Sequence, residues 1–127
     1  MSKPLIFKLR CELYAHETWF YIGDRPADDV IKKLTKRVGL WNGQGGGPYA
    51  GNGAACCWTF GHGCLVWLPD YRKTDKVKWH GYMVHELIHV IANASHFMKI
   101  YLTEDTDEFH AYYAEWITKQ VLKRVTK

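Results

Sequence analysis

The sequence lacks any CxxC pair. Its four cysteines, Cys11, Cys56, Cys57 and Cys64, are too sparse for a disulfide scaffold. It also lacks a long apolar run: no stretch approaches the roughly 20 residues that a membrane-spanning helix needs. The first residues, MSKPLIFKLRCELY, contain no uninterrupted apolar segment and no small-residue cleavage site, so they make a poor signal peptide. These absences lead to the expectation of a soluble cytoplasmic protein with reduced thiols and no membrane partner. Neither sign of charge dominates. Seventeen Lys and Arg against thirteen Asp and Glu leave a net charge of +4. The basic residues gather near both ends and at Lys32, Lys33, Lys36 and Arg37. With no RRM, helix-turn-helix or zinc-finger pattern, they read as a solvated face, and a nucleic-acid-binding domain ranks last among the alternatives. There are no repeats and no low-complexity tail. The 127 residues suit one domain, residues 1–127, with a core of its own.

The segment 42–53, NGQGGGPYAGNG, is rich in glycine, but no Gly-Lys-Ser/Thr follows it. It is therefore not a P-loop. A surface connection is the expected reading, with a flap over a cleft as the alternative.

What is present divides cleanly into a strand-rich and a helix-rich half. Residues 4–14 and Thr18–Ile22 suit two strands of a hairpin. Residues 26–39 suit a helix, with Pro26 at its first position, Asp28 and Asp29 at its positive end and Gly39 as its stop. Residues 54–69 suit two strands around Gly61-His62-Gly63. The second of these, Cys64–Leu68, is nearly all apolar and hence expected to be central or well covered. A long helix follows from about Val77 to Phe97, capped by Thr74 or Asp75, and a last one starts near Asp105. The expected fold is α+β: a small, mostly antiparallel sheet packed on an early helix, a long central helix and a C-terminal helix.

The long helix carries WHGYMVHELIHVI at positions 79–91. Positions i and i+4 lie one turn apart on one face, so His85 and His89 can offer two imidazole nitrogens to one ion. Zinc takes nitrogen ligands at about 2.0–2.1 Å in a tetrahedral set, and this spacing supplies two of them. Glu86 is about 100° further round, beside the ion and able to take a proton from a water. Val84, Leu87, Ile88 and Ile91 are the expected core stripe. This is the HExxH pattern of zincins.

His85-Glu86-Leu87-Ile88-His89 resembles the active-site helix of zinc metallopeptidases. Asn93–Phe97 lacks the glycine and histidine that would complete a metzincin motif. Glu108, nineteen residues after His89 and followed by Ala111 and Tyr112, resembles instead the second helix of short gluzincin-like metallopeptidases, often encoded by bacteriophages and mobile elements. That resemblance covers about residues 79–120. It implies a minimal zincin-like domain that binds Zn2+ through His85, His89 and Glu108. It also implies hydrolysis of peptide bonds in a peptide or protein substrate, with Glu86 as general base. The edge of the cleft is then expected at Cys64–Leu68. The compartment would be the cytoplasm of the host cell for a phage-encoded protein.

Alternatives stand beside these expectations. Asp105 and Glu108 fit a capping box, which would tie Glu108 to the helix start. Glu104, Asp105, Asp107 and His110 are rival ligands, and Asp107 or Glu115 could orient a ligating histidine. Tyr112, His110, Tyr82 and His80 are candidate oxyanion donors. Cys56, Cys57, His62 and Cys64 could form a second metal site, but buried small apolar side chains are the simpler reading. The alternative to a peptidase is a non-catalytic zincin-fold binding or phage assembly protein, with a protein partner, that keeps its metal.

Overall fold

A computed structural model describes residues 3–11, 15–45, 47–49 and 53–127. The sheet has four strands: β1 (Leu5–Cys11), β2 (His16–Ile22), β3 (Cys56–Phe60) and β4 (Gly63–Leu68). Three α-helices accompany it: α1 (Asp28–Arg37), α2 (Lys76–Met98) and α3 (Asp107–Val125). The α+β expectation holds at this level.

The strand order is β1-β2-β4-β3. The expected hairpin is present, with β1 antiparallel to β2 and Phe7 opposite Phe20. β3 and β4 form a second antiparallel pair around the Gly61-His62 turn. The sheet is nevertheless mixed, because β2 and β4 run parallel, with Glu17 opposite Gly63. α1 lies in the crossover between the two hairpins, as a parallel join requires. Gly63 is needed at this seam. A Cβ there would stand 2.5 Å from the Glu17 carbonyl oxygen.

Every residue of β4 is buried. That agrees with its apolar sequence and corrects the expectation that Cys64–Leu68 borders the cleft. The outer strands are β1 and β3, and it is β3 that runs beside the active-site candidate helix.

The helices cover both faces of the sheet. Ile31 and Leu34 of α1 pack with Leu40 and Leu65 on one face. α2 and α3 fill the other with Trp79, Met83, Leu87, Val90, Ile117 and Val121 against Phe20, Val66 and Leu68. α1 starts at Asp28 behind Ala27, so Pro26 is buried ahead of the helix and not in its first turn. Gly39 ends that helix region at a φ of +82°, as its lack of a Cβ allows.

α2 is capped by the Asp75 side chain, which accepts from the Lys78 N–H at 3.0 Å. Its rotation differs from the expected one. Val84 and Ile88 are 53% and 60% exposed, while Trp79, Met83, Leu87, Val90 and Ala94 face the core. Both stripes are apolar, but the second is anchored by Trp79, which is wholly buried and donates its indole N–H to the Pro69 carbonyl at 2.8 Å. Trp79, Met83 and Val90 together bury more apolar surface than Val84 and Ile88 would. None of the helices described is long and apolar enough to cross a membrane.

Candidate metal centre

The turn of α2 at His85–His89 places its three polar side chains together. One ligand atom each from His85, Glu86 and His89 lies within 4.8 Å of the others, and among the described residues this is the one such group of His, Cys, Asp or Glu. The imidazole centroids are 5.3 Å apart and steeply inclined. Both histidines are on the exposed side of the helix, whereas Glu86 is turned toward the sheet and only 5% exposed. The core rotation set by Trp79 causes this split.

Burial raises the Glu86 carboxyl above the ordinary carboxylate range, and the two imidazoles work against that rise. Glu86 also acts on the neighbouring strand. The Cys56 thiol is raised by burial and then by the Glu86 charge, with Arg25 opposing. An open cleft of about 340 Å3 leads to the group, walled by Gly53, Ala54 and Ala55 on one side and Gly81, Tyr82, His85 and Glu86 on the other. The described end of the glycine-rich segment is therefore one wall of this cleft. The flap reading for that segment also rests on residues 46 and 50–52, which lie outside the described residues.

Glu108 is exposed in the first turn of α3 and is not a member of the His85–Glu86–His89 group. α3 presents His110, Tyr113, Ile117, Val121 and Val125 to the core. At 100° per residue, Glu108 stands nearly opposite that arc. The capping-box alternative is not what forms at the helix start. The cap position is Thr106, with no side-chain cap bond. Glu104, Asp105, Asp107 and Glu115 are exposed as well, and Glu115 pairs with Lys119 at 3.1 Å.

Of the candidate oxyanion donors, Tyr82 lines the cleft beside His85 and Glu86. His80 is held by the Lys76 carbonyl at 2.6 Å and packs on Tyr71 and Trp79. Tyr112 is 62% exposed on α3. His110 is buried, with Nδ1–H donating to the Thr106 carbonyl at 2.9 Å, and lines an apolar recess with Ile91, Ala92 and Ser95. His96 is exposed, with its ring against Tyr101.

A buried polar network behind the site was not foreseen. Asn93, one turn beyond His89, donates from Nδ2 to the Phe60 carbonyl at 2.9 Å. Its Oδ1 therefore accepts from His16 Nε2–H at 2.7 Å. The other nitrogen of the wholly buried His16 then accepts from the Tyr113 hydroxyl at 3.3 Å. The thiol of Cys57 donates to Cys64, which is held below the ordinary thiol range by that bond and by His16. This network bolts α2 to β2, to the β3–β4 turn and to α3. An asparagine on the core-facing side of an apolar helix was the available signal, but its partners lie 33 and 77 residues away in sequence. Cys57, Cys64 and His16 do not form a metal-sized group.

No protein-family model matches the chain, and no curated protein or solved structure matches it.

Proposed function

We propose that the protein is a zinc-dependent hydrolase of peptide bonds, with His85 and His89 as metal ligands and Glu86 as general base. The observation that carries this is the convergence of two exposed imidazoles and one buried carboxylate within 4.8 Å, beside an open cleft that His85 and Glu86 line. The donor set fits a zinc ion: two neutral nitrogen ligands from one helical turn and a carboxylate close enough to serve as ligand or base. When bound, zinc supplies Lewis acidity toward a carbonyl oxygen and acidifies water.

The chain's own residues supply the rest. Glu86 takes the proton of the attacking water and returns it to the leaving amine. Its raised affinity for a proton suits both halves of that transfer. Tyr82 shares the cleft wall with Glu86 and is the proposed hydrogen-bond donor, through its O–H, to the oxyanion. Glu108 is the proposed third ligand, on the resemblance to gluzincin-like metallopeptidases. It lies outside the donor group, so this assignment requires the first turn of α3 to bring it to His89.

A second reading has its own support. Glu86 is itself within ligand range of both histidines. As a third ligand it could not act as base, and the chain would be a metal-holding binding or assembly protein with a protein partner.

Metal content by inductively coupled plasma mass spectrometry separates the two. About one zinc per chain is expected in the wild type, lost in His89→Ala, weakened in Glu108→Ala and retained in Glu86→Gln. Peptide-library hydrolysis is expected in the wild type and not in Glu86→Gln. Loss of zinc in Glu86→Gln favours the binding protein. Full retention in Glu108→Ala removes Glu108 from the site. A folded wild type that takes up no zinc on reconstitution refutes both.

A further inference from the structure

A cavity rich in positive charge shares no residue with the metal site. It has a volume of about 330 Å3, which falls within the size of small-molecule sites. Lys3, Arg72, Arg124 and Lys127 rim it, and Asp70 is its one acidic residue. These cations come from the start of the chain, the short 3-10 turn Tyr71–Lys73, the end of α3 and the last residue. Folding thus gathers charges that are far apart in sequence, against the electrostatic repulsion between them.

Neither of the salt bridges between described residues, Lys8 with Glu17 and Lys119 with Glu115, involves any of the four cations. Asp70 is engaged by its own turn, where its side chain accepts from the Arg72 N–H at 2.9 Å. Counted by side chains, the lining therefore carries a formal excess of three positive charges. Its floor contains the buried Ile22 and Val125, and a low-dielectric floor focuses such a field outward.

One of the cations is already oriented. The Arg124 guanidinium lies over the Phe7 ring at 5.0 Å, which restricts its rotamers before any ligand arrives. Guanidinium forks match phosphoryl oxygens in pairs, which ammonium groups cannot do. A phosphomonoester group carries about −1.5 to −2 at neutral pH, so two linked phosphoryl groups balance the cavity where a single carboxylate does not.

We propose that this cavity is a binding site for a diphosphate, either inorganic or carried by a small organic body, held by Arg72 and Arg124 with Lys3 and Lys127 at the rim. The site is independent of the metal centre and of the function proposed for it.

The test is calorimetric titration of the full chain at low ionic strength with inorganic pyrophosphate, ADP and a single-stranded oligonucleotide. The expected result is one pyrophosphate per chain, weakened about tenfold or more by Arg72→Ala or Arg124→Ala. Arg72→Lys, which keeps the charge and loses the fork, should fall between. Binding should be unaltered in Lys33→Ala on α1 and in His89→Ala, which excludes capture by a metal at the other site. Tighter binding of ADP than of pyrophosphate assigns the organic source, and the reverse assigns the inorganic one. No heat at millimolar pyrophosphate overturns the proposal. So does equal weakening by Lys33→Ala, which means diffuse attraction. Oligonucleotide binding that pyrophosphate does not compete away also overturns it. Circular dichroism of each variant guards against reading misfolding as lost affinity.

Discussion

Replacing Asn93 by alanine should loosen the helix that carries His85 and His89 without touching either. Asn93 makes two bonds, to His16 Nε2 at 2.7 Å and to the Phe60 carbonyl at 2.9 Å. His16 is wholly buried, so the variant leaves its N–H with no partner and no route to water. An unsatisfied buried polar group costs about 1–3 kcal/mol. Phe60 is only half-buried and its carbonyl can regain water, so the second loss adds about 1 kcal/mol or less. The sum is about 1–4 kcal/mol, a large part of the stability of a domain of this size. Urea unfolding of metal-free protein should show a lower midpoint at an unchanged slope. Asn93→Asp keeps the acceptor for His16 but turns an anionic oxygen toward the Phe60 carbonyl, and should fall between wild type and Asn93→Ala. A loss below about 1 kcal/mol in Asn93→Ala would refute the argument that this bridge satisfies His16.

Three further outcomes follow from the same geometry. Glu86→Gln should keep the metal and lower peptide hydrolysis by about 10²–10⁴-fold, the usual contribution of a positioned base, read from initial rates at equal zinc occupancy. In chelator-treated protein the same variant should be more stable than wild type at pH 7. The folded carboxyl binds its proton more tightly than the unfolded one, so its burial costs nothing below the ordinary glutamate range near pH 4.3, and the cost grows as pH rises through the folded value. The advantage of Glu86→Gln must therefore shrink as pH falls toward about 4, and an advantage that grows instead would reverse the sign of the burial effect. Gly63→Ala should cost about 1–3 kcal/mol in urea unfolding, because its Cβ would meet the Glu17 carbonyl oxygen at 2.5 Å and force β2 and β4 apart.

What the sequence makes legible is what lies within one element or one turn. The Asp75 cap, the Gly61-His62 turn, the β1–β2 hairpin and the meeting of His85 with His89 all follow from spacings of a few residues. The parallel seam between β2 and β4 does not, since nothing local in Glu17 or Gly63 announces that they are neighbours. The rotation of α2 was a contest between two apolar stripes. It was settled by Trp79, whose partner Pro69 lies before the helix, so periodicity alone gave equal weight to Val84 and Ile88. The same contest decides how the site is built. With Leu87 and Val90 inward, Glu86 is drawn toward the sheet and the cleft, and the histidines are left outward, where an ion can reach them. α3 has its own contest. His110, Tyr113 and Ile117 win the core, and Glu108 is turned to solvent by their success. A third ligand from α3 must therefore be won against the packing of that helix. For that reason the Glu108→Ala metal measurement, and not the motif, is what distinguishes a three-ligand catalytic site from a histidine pair completed by Glu86.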